Sequence, residues 1–223
     1  MNRNVFKIIA VVSMLIDHIG YFFVDNNVWL RLIGRLAFPI FAFFIAEGMK
    51  HTKSRKKYIL TLFVFALITQ IPYGFLFGFE KMNVLFTFLI AVLLIELIDN
   101  YKSLQIVSVA LLTLISVMTL ILGLIFVIDY GFCGVGFILI LYYIKKDWLK
   151  YLLACLTILL FSLHQILMFG PTIFGWICNV GIVSILLLAF LYNGQKGKLN
   201  LKYFFYIFYP LHFVVILIIN LII

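Results

Sequence analysis

Apolar stretches about 20 residues long recur along nearly the whole chain, separated by short segments that carry most of the charge. A helix needs about 20 apolar residues to cross a bilayer, because each residue adds about 1.5 Å across a hydrocarbon layer of about 30 Å. Hydrophobic residues make up 66% of the 223 positions and charged residues 11%, against roughly 45–50% and 25% in soluble domains. The pattern predicts an all-α, polytopic transmembrane helical bundle.

The stretches predict about nine spans, with a range of eight to ten, in a single domain over residues 1–223. The spans fall near residues 5–24, 28–49, 58–79, 84–98, 103–122, 126–144, 151–169, 172–192 and 203–222. The pattern that divides 103–144 into two helices is the weakest of these. The first stretch has no signal-peptide cleavage site after it, so we expect it to remain as the first helix.

The distribution of basic residues predicts the orientation of the bundle. With the N-terminus in the cytoplasm, fourteen of the seventeen Lys and Arg residues fall in cytoplasmic segments: Arg3, Lys7, Lys50, Lys53, Arg55, Lys56, Lys57, Lys102, Lys145, Lys146, Lys150, Lys196, Lys198 and Lys202. Lys81 falls in a predicted outer loop. Since these cations lie in short loops next to membrane lipid, rather than on a continuous basic face in water, we expect no nucleic-acid partner.

Ionisable residues inside the predicted spans are costly and usually functional. Asp17 and His18 lie about 15 Å into the first helix, near the middle of the bilayer. Arg31 and Arg35, four residues apart, share one face of the second helix, which a short loop makes an antiparallel neighbour of the first. We expect Asp17 to pair with Arg35 and His18 to face a cavity. A structural ion pair and a buried neutral histidine are the alternatives.

Proline and polar residues interrupt several other spans. Pro39 removes a backbone donor and frees the carbonyl of Arg35, so we expect the second helix to be distorted. Backbone groups freed at this depth need protein or a water-filled cavity beside them. We predict that a set of polar residues from several spans contacts a substrate: Arg31, Gln70, Tyr73, Asn83, His164, Tyr209 and His212.

The loop KHTKSRKK, residues 50–57, contains five cations and a histidine. Such a cluster is either an orientation anchor that contacts anionic lipid or a clamp for the phosphates of a nucleotide-like donor in the cytoplasm. In the second interpretation the donor-binding residues are Lys53, Arg55, Lys56 and Lys57, with Glu47 and His51 at the mouth of the path inward.

The residues at mid-membrane allow three classes of function. His18 can act as a general base on an attacking amine or hydroxyl, with Asp17 and Arg35 in support and an arginine stabilising the oxyanion. Asp17, His18 and Glu47 equally suit the proton relay of a proton-coupled secondary transporter, and a non-catalytic assembly partner is the third class. We expect no metal, because the histidines lack a ligand-spacing motif.

Six runs, in order along nearly the whole chain, carry more specific information: IDHIGYFF (16–23), RLIGRLAFPIFAFFIAEGMKHTKSRKKY (31–58), FALITQIPY (65–73), NVLFTF (83–88), DYGFCGV (129–135) and LYNGQKGKLNLKYFFYIFYPLHF (191–213). Together they resemble the TraX family. Its members are polytopic membrane proteins, named for a protein that acetylates the N-terminus of conjugative pilin. They are similar to a wider group of membrane acyltransferases that use acyl-CoA.

The resemblance implies an acetyltransferase of the bacterial cytoplasmic membrane that takes acetyl-CoA from the cytoplasm. The acceptor at the outer face would be a secreted peptide or a surface glycan. His18 stands where the wider group has its catalytic histidine, and Arg35, Glu47, His51 and the run from Tyr209 to His212 match family motif positions. The resemblance implies that the basic loop holds the CoA phosphates and that the pantetheine arm runs inward to His18.

Overall fold

The computed structural model describes residues 1–100, 127–198 and 202–222, which are almost entirely helical. The helices are α1 (Arg3–Phe22), α2 (Val28–Gly34), α3 (Ala37–His51), α4 (Arg55–Phe77), α5 (Val84–Asn100), α6 (Gly131–Tyr143), α7 (Asp147–Phe169), α8 (Ile173–Ile177), α9 (Gly181–Leu191) and α10 (Lys202–Ile222). A 3₁₀ turn, Cys178–Val180, joins α8 to α9. Two short strands, β1 (Lys81–Met82) and β2 (Val127–Ile128), pair in parallel, with Lys81 opposite Val127. The predicted all-α class is confirmed.

Five segments of the described chain are long and apolar enough to cross a membrane: Arg3–Phe22, Val28–His51, Arg55–Phe77, Asp147–Leu167 and Tyr203–Ile222. These segments indicate a membrane protein. The total of nine spans and the cytoplasmic N-terminus stay predictions. The helix predicted at 103–122 lies outside the described residues.

Three predicted spans differ from the helices observed. The span 28–49 is divided at Arg35 and Leu36, because Pro39 has no N–H for the Arg35 carbonyl; the Leu36 carbonyl accepts a hydrogen bond from the Ser184 hydroxyl, 2.9 Å away. The span 172–192 is divided by the 3₁₀ turn. The span 126–144 begins as a helix only at Gly131, after β2 and a left-handed residue, Tyr130, with φ of 58°.

Contacts between charged side chains define one end of the bundle, which we call the basic end. Here Arg3, at the start of α1, pairs with Glu47 near the end of α3 (Nη2–Oε2 3.0 Å). Arg55, at the start of α4, pairs with Asp99 near the end of α5 (Nη1–Oδ2 2.8 Å). The connections from α1 to α2 and from α4 to β1 lie at the opposite end, the far end.

The apolar core lies between α3, α4, α5, α6 and α10. Its most buried members include Met49, Leu62, Ile95, Ile138 and Phe213. The outer faces of α4, α7 and α10 are exposed and apolar, as expected of helix surfaces that contact lipid. Buried polar side chains therefore stand out, and they form the candidate site.

Candidate functional site

His18 of α1 and His212 of α10 form a pair inside the bundle. His18 Nδ1 lies 3.0 Å from His212 Nε2, and the rings stack with centres 5.0 Å apart. The Phe213 ring packs against both, at 4.9 Å and 4.0 Å. We expected His18 to face a cavity and His212 to contact substrate; the structure brings these two residues together. In the described chain no group of three His, Cys, Asp or Glu side chains is arranged to hold a metal ion.

The hydrogen bonds of the pair assign its protons. His212 Nδ1 lies 3.2 Å from the carbonyl oxygen of Phe208, and because a carbonyl only accepts, Nδ1 carries the proton. Neutral His212 then offers Nε2 as an acceptor, and His18 Nδ1 donates to it. This tautomer leaves a lone pair on His18 Nε2, the arrangement that a general base requires.

Asp17 forms the expected pair with Arg35. Arg35 Nη2 lies 2.7 Å and 2.6 Å from the two carboxylate oxygens, and Asp17 and Arg35 are only 7% and 8% exposed. Arg31 Nη1 approaches the same carboxylate at 3.3 Å, and its guanidinium lies over the Tyr21 ring, 4.9 Å from the centre. The cluster fixes α1 to the junction of α2 and α3, one residue from His18.

Gly34 allows this close approach. A Cβ atom at Gly34 would overlap the Cβ and carboxyl group of Asp17. Gly20 packs in the same way against Leu30 on the neighbouring helix. Small residues at such contacts are typical of membrane helix pairs, because they let backbones approach closely.

Tyr73 of α4 lies beside the histidine pair. Its ring packs against Phe213 at 5.5 Å, and its hydroxyl donates to Asp129 Oδ2 at 3.3 Å. The Thr87 hydroxyl donates to the Asp129 backbone carbonyl. The sequence analysis predicted Tyr73 as a substrate contact but assigned no role to Asp129 or Thr87. The fold places Asp129 against Tyr73, and Thr87 against Asp129.

The predicted substrate contacts Gln70, Asn83 and His164 lie in different surroundings. Gln70 Nε2 donates to the Lys81 carbonyl at 2.6 Å, and the fully buried Asn83 donates to Gln70 Oε1 at 2.8 Å. These two amides are bonded to each other and to the loop at the start of α5. His164 is exposed on α7, and the structure does not bring it to the histidine pair.

A cavity of about 590 Å³ extends from the basic end toward the histidine pair, between α1, α3, α4, α5 and α10. Its inner end is lined by Met14 and Tyr209. Met14 lies about 16 Å along α1 from Arg3 and about 6 Å, one helical turn, before His18. The Tyr209 ring is 5.4 Å from the His212 ring. This volume lies within the range of about 300–1,000 Å³ that is usual for small-molecule sites.

The mouth of this cavity is basic. Its cationic residues are Arg3, Lys7, Lys196 and Lys198, with His51 beside them. Lys7 Nζ lies 5.5 Å from the Phe44 ring centre and 5.1 Å from that of Phe205. Cations and aromatic rings at the opening of an otherwise apolar channel suit a ligand with phosphates and a planar base at one end.

The cations predicted to clamp phosphates lie elsewhere. Lys53, Lys56 and Lys57 are exposed, and they are outside this cavity. Arg55 is half-buried and pairs with Glu96 and Asp99 of α5. Only His51 among the predicted donor-binding residues lines the cavity.

Glu47, predicted at the mouth, acts on it through another residue. Its carboxylate pairs with Arg3 at 3.0 Å and accepts a hydrogen bond from the Tyr192 hydroxyl at 2.8 Å. Glu47 therefore positions Arg3, which lines the cavity.

The sequence analysis used Lys7, Lys196 and Lys198 only to predict orientation. The sequence of the segment before α10 did not show that it contacts the start of α1, where the Arg3 N–H donates to the Gln195 carbonyl.

Long apolar helices around buried charged side chains define the class of this molecule: a helical membrane protein with a polar site inside its bundle. The chain belongs to the TraX family, since the family model described as "TraX protein" matches residues 2–220. The family predicted from the sequence runs is confirmed.

Relatives in bacteria differ in how much of the chain they cover. The "Probable fimbrial assembly protein FimC, serogroup H1" of Dichelobacter nodosus is 31% identical over 239 aligned positions, which cover 95% of each chain. "Protein TraX" of Escherichia coli is 36% identical over 92 residues, 40% of this chain and 37% of that protein. "Uncharacterized protein RP591" of Rickettsia prowazekii is 32% identical over 69 residues, 31% and 27% of the two chains. No solved structure matches.

Proposed function

We propose that this protein is an integral membrane acetyltransferase. It moves an acetyl group from acetyl-CoA in the cytoplasm to an acceptor at the outer face. The acceptor is a peptide N-terminal amine, or a hydroxyl or amine of a glycan. The observation that carries the proposal is the cavity with a basic mouth, whose inner end reaches within one helical turn of His18 and its partner His212.

The cavity supports acetyl-CoA as the donor because its two ends match the two ends of that molecule. Phosphates and adenine would lie among Lys7, Lys196 and Lys198 and the nearby rings. The uncharged pantetheine arm would follow the apolar walls, and the thioester would reach Met14 and Tyr209.

The charge distribution supports the orientation. The basic end carries most of the cations, so the positive-inside rule directs it to the cytoplasm of a bacterial inner membrane. The donor would enter from that side. The histidine pair lies closer to the far end, from which an acceptor outside the cell would approach.

His18 acts as the general base in this proposal. Its Nε2 takes a proton from the acceptor amine or hydroxyl as the nucleophile attacks the thioester carbonyl carbon. The tetrahedral intermediate collapses, the C–S bond breaks, and the proton passes from His18 to the CoA thiolate. The products are the acetylated acceptor and free CoA. His212 holds the His18 ring in the required tautomer through the 3.0 Å contact.

The arginines have different roles in this mechanism. Arg35 contacts both oxygens of Asp17, so it holds in place the part of α1 that carries His18. Arg31 has the longer contact with the same carboxylate, 3.3 Å, and its guanidinium is the group that we propose to stabilise the oxyanion of the tetrahedral intermediate.

The relatives support an acceptor on the cell surface. One is named as a probable fimbrial assembly protein, so a fimbrial or pilus subunit with a free N-terminal amine is the first acceptor to test. The uncharged form of that amine attacks, which makes a general base at mid-membrane useful.

The test is transfer of radiolabelled acetyl from acetyl-CoA to candidate peptides and glycans by purified protein in detergent. We expect His18→Ala to lower the transfer rate by about 10²-fold to 10⁴-fold, the usual contribution of a general base. His164→Ala is the matched control, because His164 is exposed and away from the pair, and it should leave the rate unchanged.

Two results would contradict the proposal. One is transfer that survives His18→Ala at the wild-type rate. The other is an absence of CoA release with every acceptor, together with proton-coupled uptake by the protein in liposomes, which would assign it to the secondary transporters. If transfer survives His18→Ala, the histidine pair has a structural role, and His212→Ala should then lower the stability of the protein without lowering the transfer rate.

A further inference from the structure

We propose that the ring of Tyr209 is the end wall of the donor cavity and restricts the acyl group to two or three carbons. The inference rests on the proposed function, because it assigns acyl-chain selectivity to the same site. It depends on the position of one side chain that lines the cavity and also packs against the histidine pair.

The inner end of the cavity is apolar. Met14 of α1, Leu62 of α4, and Leu85 and Phe88 of α5 line it together with Tyr209 of α10. Among these five residues the Tyr209 hydroxyl is the one group able to form a conventional hydrogen bond through its side chain. An acyl tail fits such surroundings, since each buried methylene favours binding.

Tyr209 lies at that end and packs against His212 and Phe213. Its side chain is 9% exposed, and its ring lies 5.4 Å from the ring centres of both His212 and Phe213. Phe213 is fully buried and packs against His18. A thioester whose carbonyl reaches the histidine pair therefore meets the Tyr209 and Phe213 rings with any tail beyond its first carbons.

A matched position exists one turn along the same helix. Tyr206 also lines the cavity, three residues nearer the basic end, and stacks on Phe65 at 5.0 Å. Truncating Tyr206 widens the middle of the channel, whereas truncating Tyr209 lengthens its inner end. Only the second change opens space for a longer acyl tail.

The experiment measures the Kd of acetyl-, butyryl- and hexanoyl-CoA, and of free CoA, for the purified full-length protein in detergent. Wild-type protein should bind acetyl-CoA most tightly and lose affinity at each longer chain. Tyr209→Ala should reverse that order and bind butyryl-CoA about 15-fold more tightly than acetyl-CoA, since two further methylenes are buried at about fourfold each. Tyr206→Ala should keep the wild-type order, and so should Tyr209→Phe, which retains the ring.

If Tyr209→Ala does not fold, Tyr209→Leu takes its place. The affinities of the wild-type protein for the three thioesters test the end wall in either case. Equal affinity of the wild type for all three thioesters overturns the inference. A reversed order in Tyr206→Ala overturns it as well, because the site of selection would then be the middle of the channel. Failure of the wild type to bind CoA or any thioester overturns the proposed function, and the inference with it.

Discussion

Two lysine clusters of equal charge distinguish the donor site that we propose from the structure from the one predicted from the sequence. The first comprises Lys7, Lys196 and Lys198 at the cavity mouth. The second comprises Lys53, Lys56 and Lys57, which are exposed and outside the cavity. Replacing each set with Gln removes the same number of positive charges from the same end of the bundle, so a difference in CoA affinity reports position alone.

The magnitude follows from the surroundings of each lysine. Lys7 is partly buried between two aromatic rings, where a hydrogen bond to a charged phosphate contributes about 1.5 kcal/mol. Lys196 and Lys198 are exposed, and an exposed ion pair contributes about 0.5 kcal/mol. The mouth variant should therefore lose about 2.5 kcal/mol in total, or about 70-fold in Kd.

The loop variant should lose much less. Interactions between exposed charges are largely screened beyond about 8 Å at physiological ionic strength, so removal of Lys53, Lys56 and Lys57 should raise the Kd by less than about threefold. The assay is equilibrium binding of CoA to the purified protein at 0.15 M salt, an ionic strength at which the Debye length is about 8 Å. The unfolding temperature of both variants is the control for misfolding.

An equal loss in the two variants would refute the reasoning, because CoA would then respond to the net charge of the basic end rather than to the cavity mouth. A larger loss in the loop variant would return the phosphate clamp to residues 50–57. Altered membrane insertion of the loop variant with unchanged CoA affinity supports its interpretation as an orientation anchor.

Three further predictions concern stability, measured as the free energy of unfolding in detergent. Asp17→Ala leaves the buried Arg35 without its carboxylate and should cost about 3–5 kcal/mol; a loss below about 1 kcal/mol would show that water or lipid replaces the pair. Gly34→Ala forces a methyl group against Asp17 and should cost about 1–3 kcal/mol, while Gly136→Ala, with open space around it, should cost nothing; similar losses would argue against close packing at Gly34. Arg55→Leu breaks a partly exposed pair and should cost about 1 kcal/mol, so a loss above 3 kcal/mol would assign this pair a larger part in folding.

Features set by local sequence were predicted well. The Asp17–Arg35 pair was expected because a short loop joins two apolar helices and the spacing of Arg31 and Arg35 defines one face. The break ahead of Pro39 was expected because the residue lacks an N–H. In both cases the controlling residues are close neighbours along the chain or on adjacent helices.

Features that depend on which helices meet were not predicted. His18 and His212 are 194 residues apart, and no periodicity in either helix indicates that α1 packs near α10. Lys196 and Lys198 were counted among many cations, since net charge carries orientation but no position. The basic loop at 50–57 was chosen for its density of charge, although Lys53, Arg55, Lys56 and Lys57 do not line the cavity.

The sequence by itself determined that the chain is a helical membrane protein of the TraX family, because hydrophobic length and motif order are linear properties. It also identified His18 and Asp17 as ionisable residues inside a predicted membrane span. The tertiary structure alone decided that His18 has a histidine partner, that Tyr209 stands at the end of a cavity, and that the cations at its mouth come from α1 and the segment before α10. The physical reason is that these contacts depend on side-chain packing between distant helices, which the pattern of apolar residues does not specify.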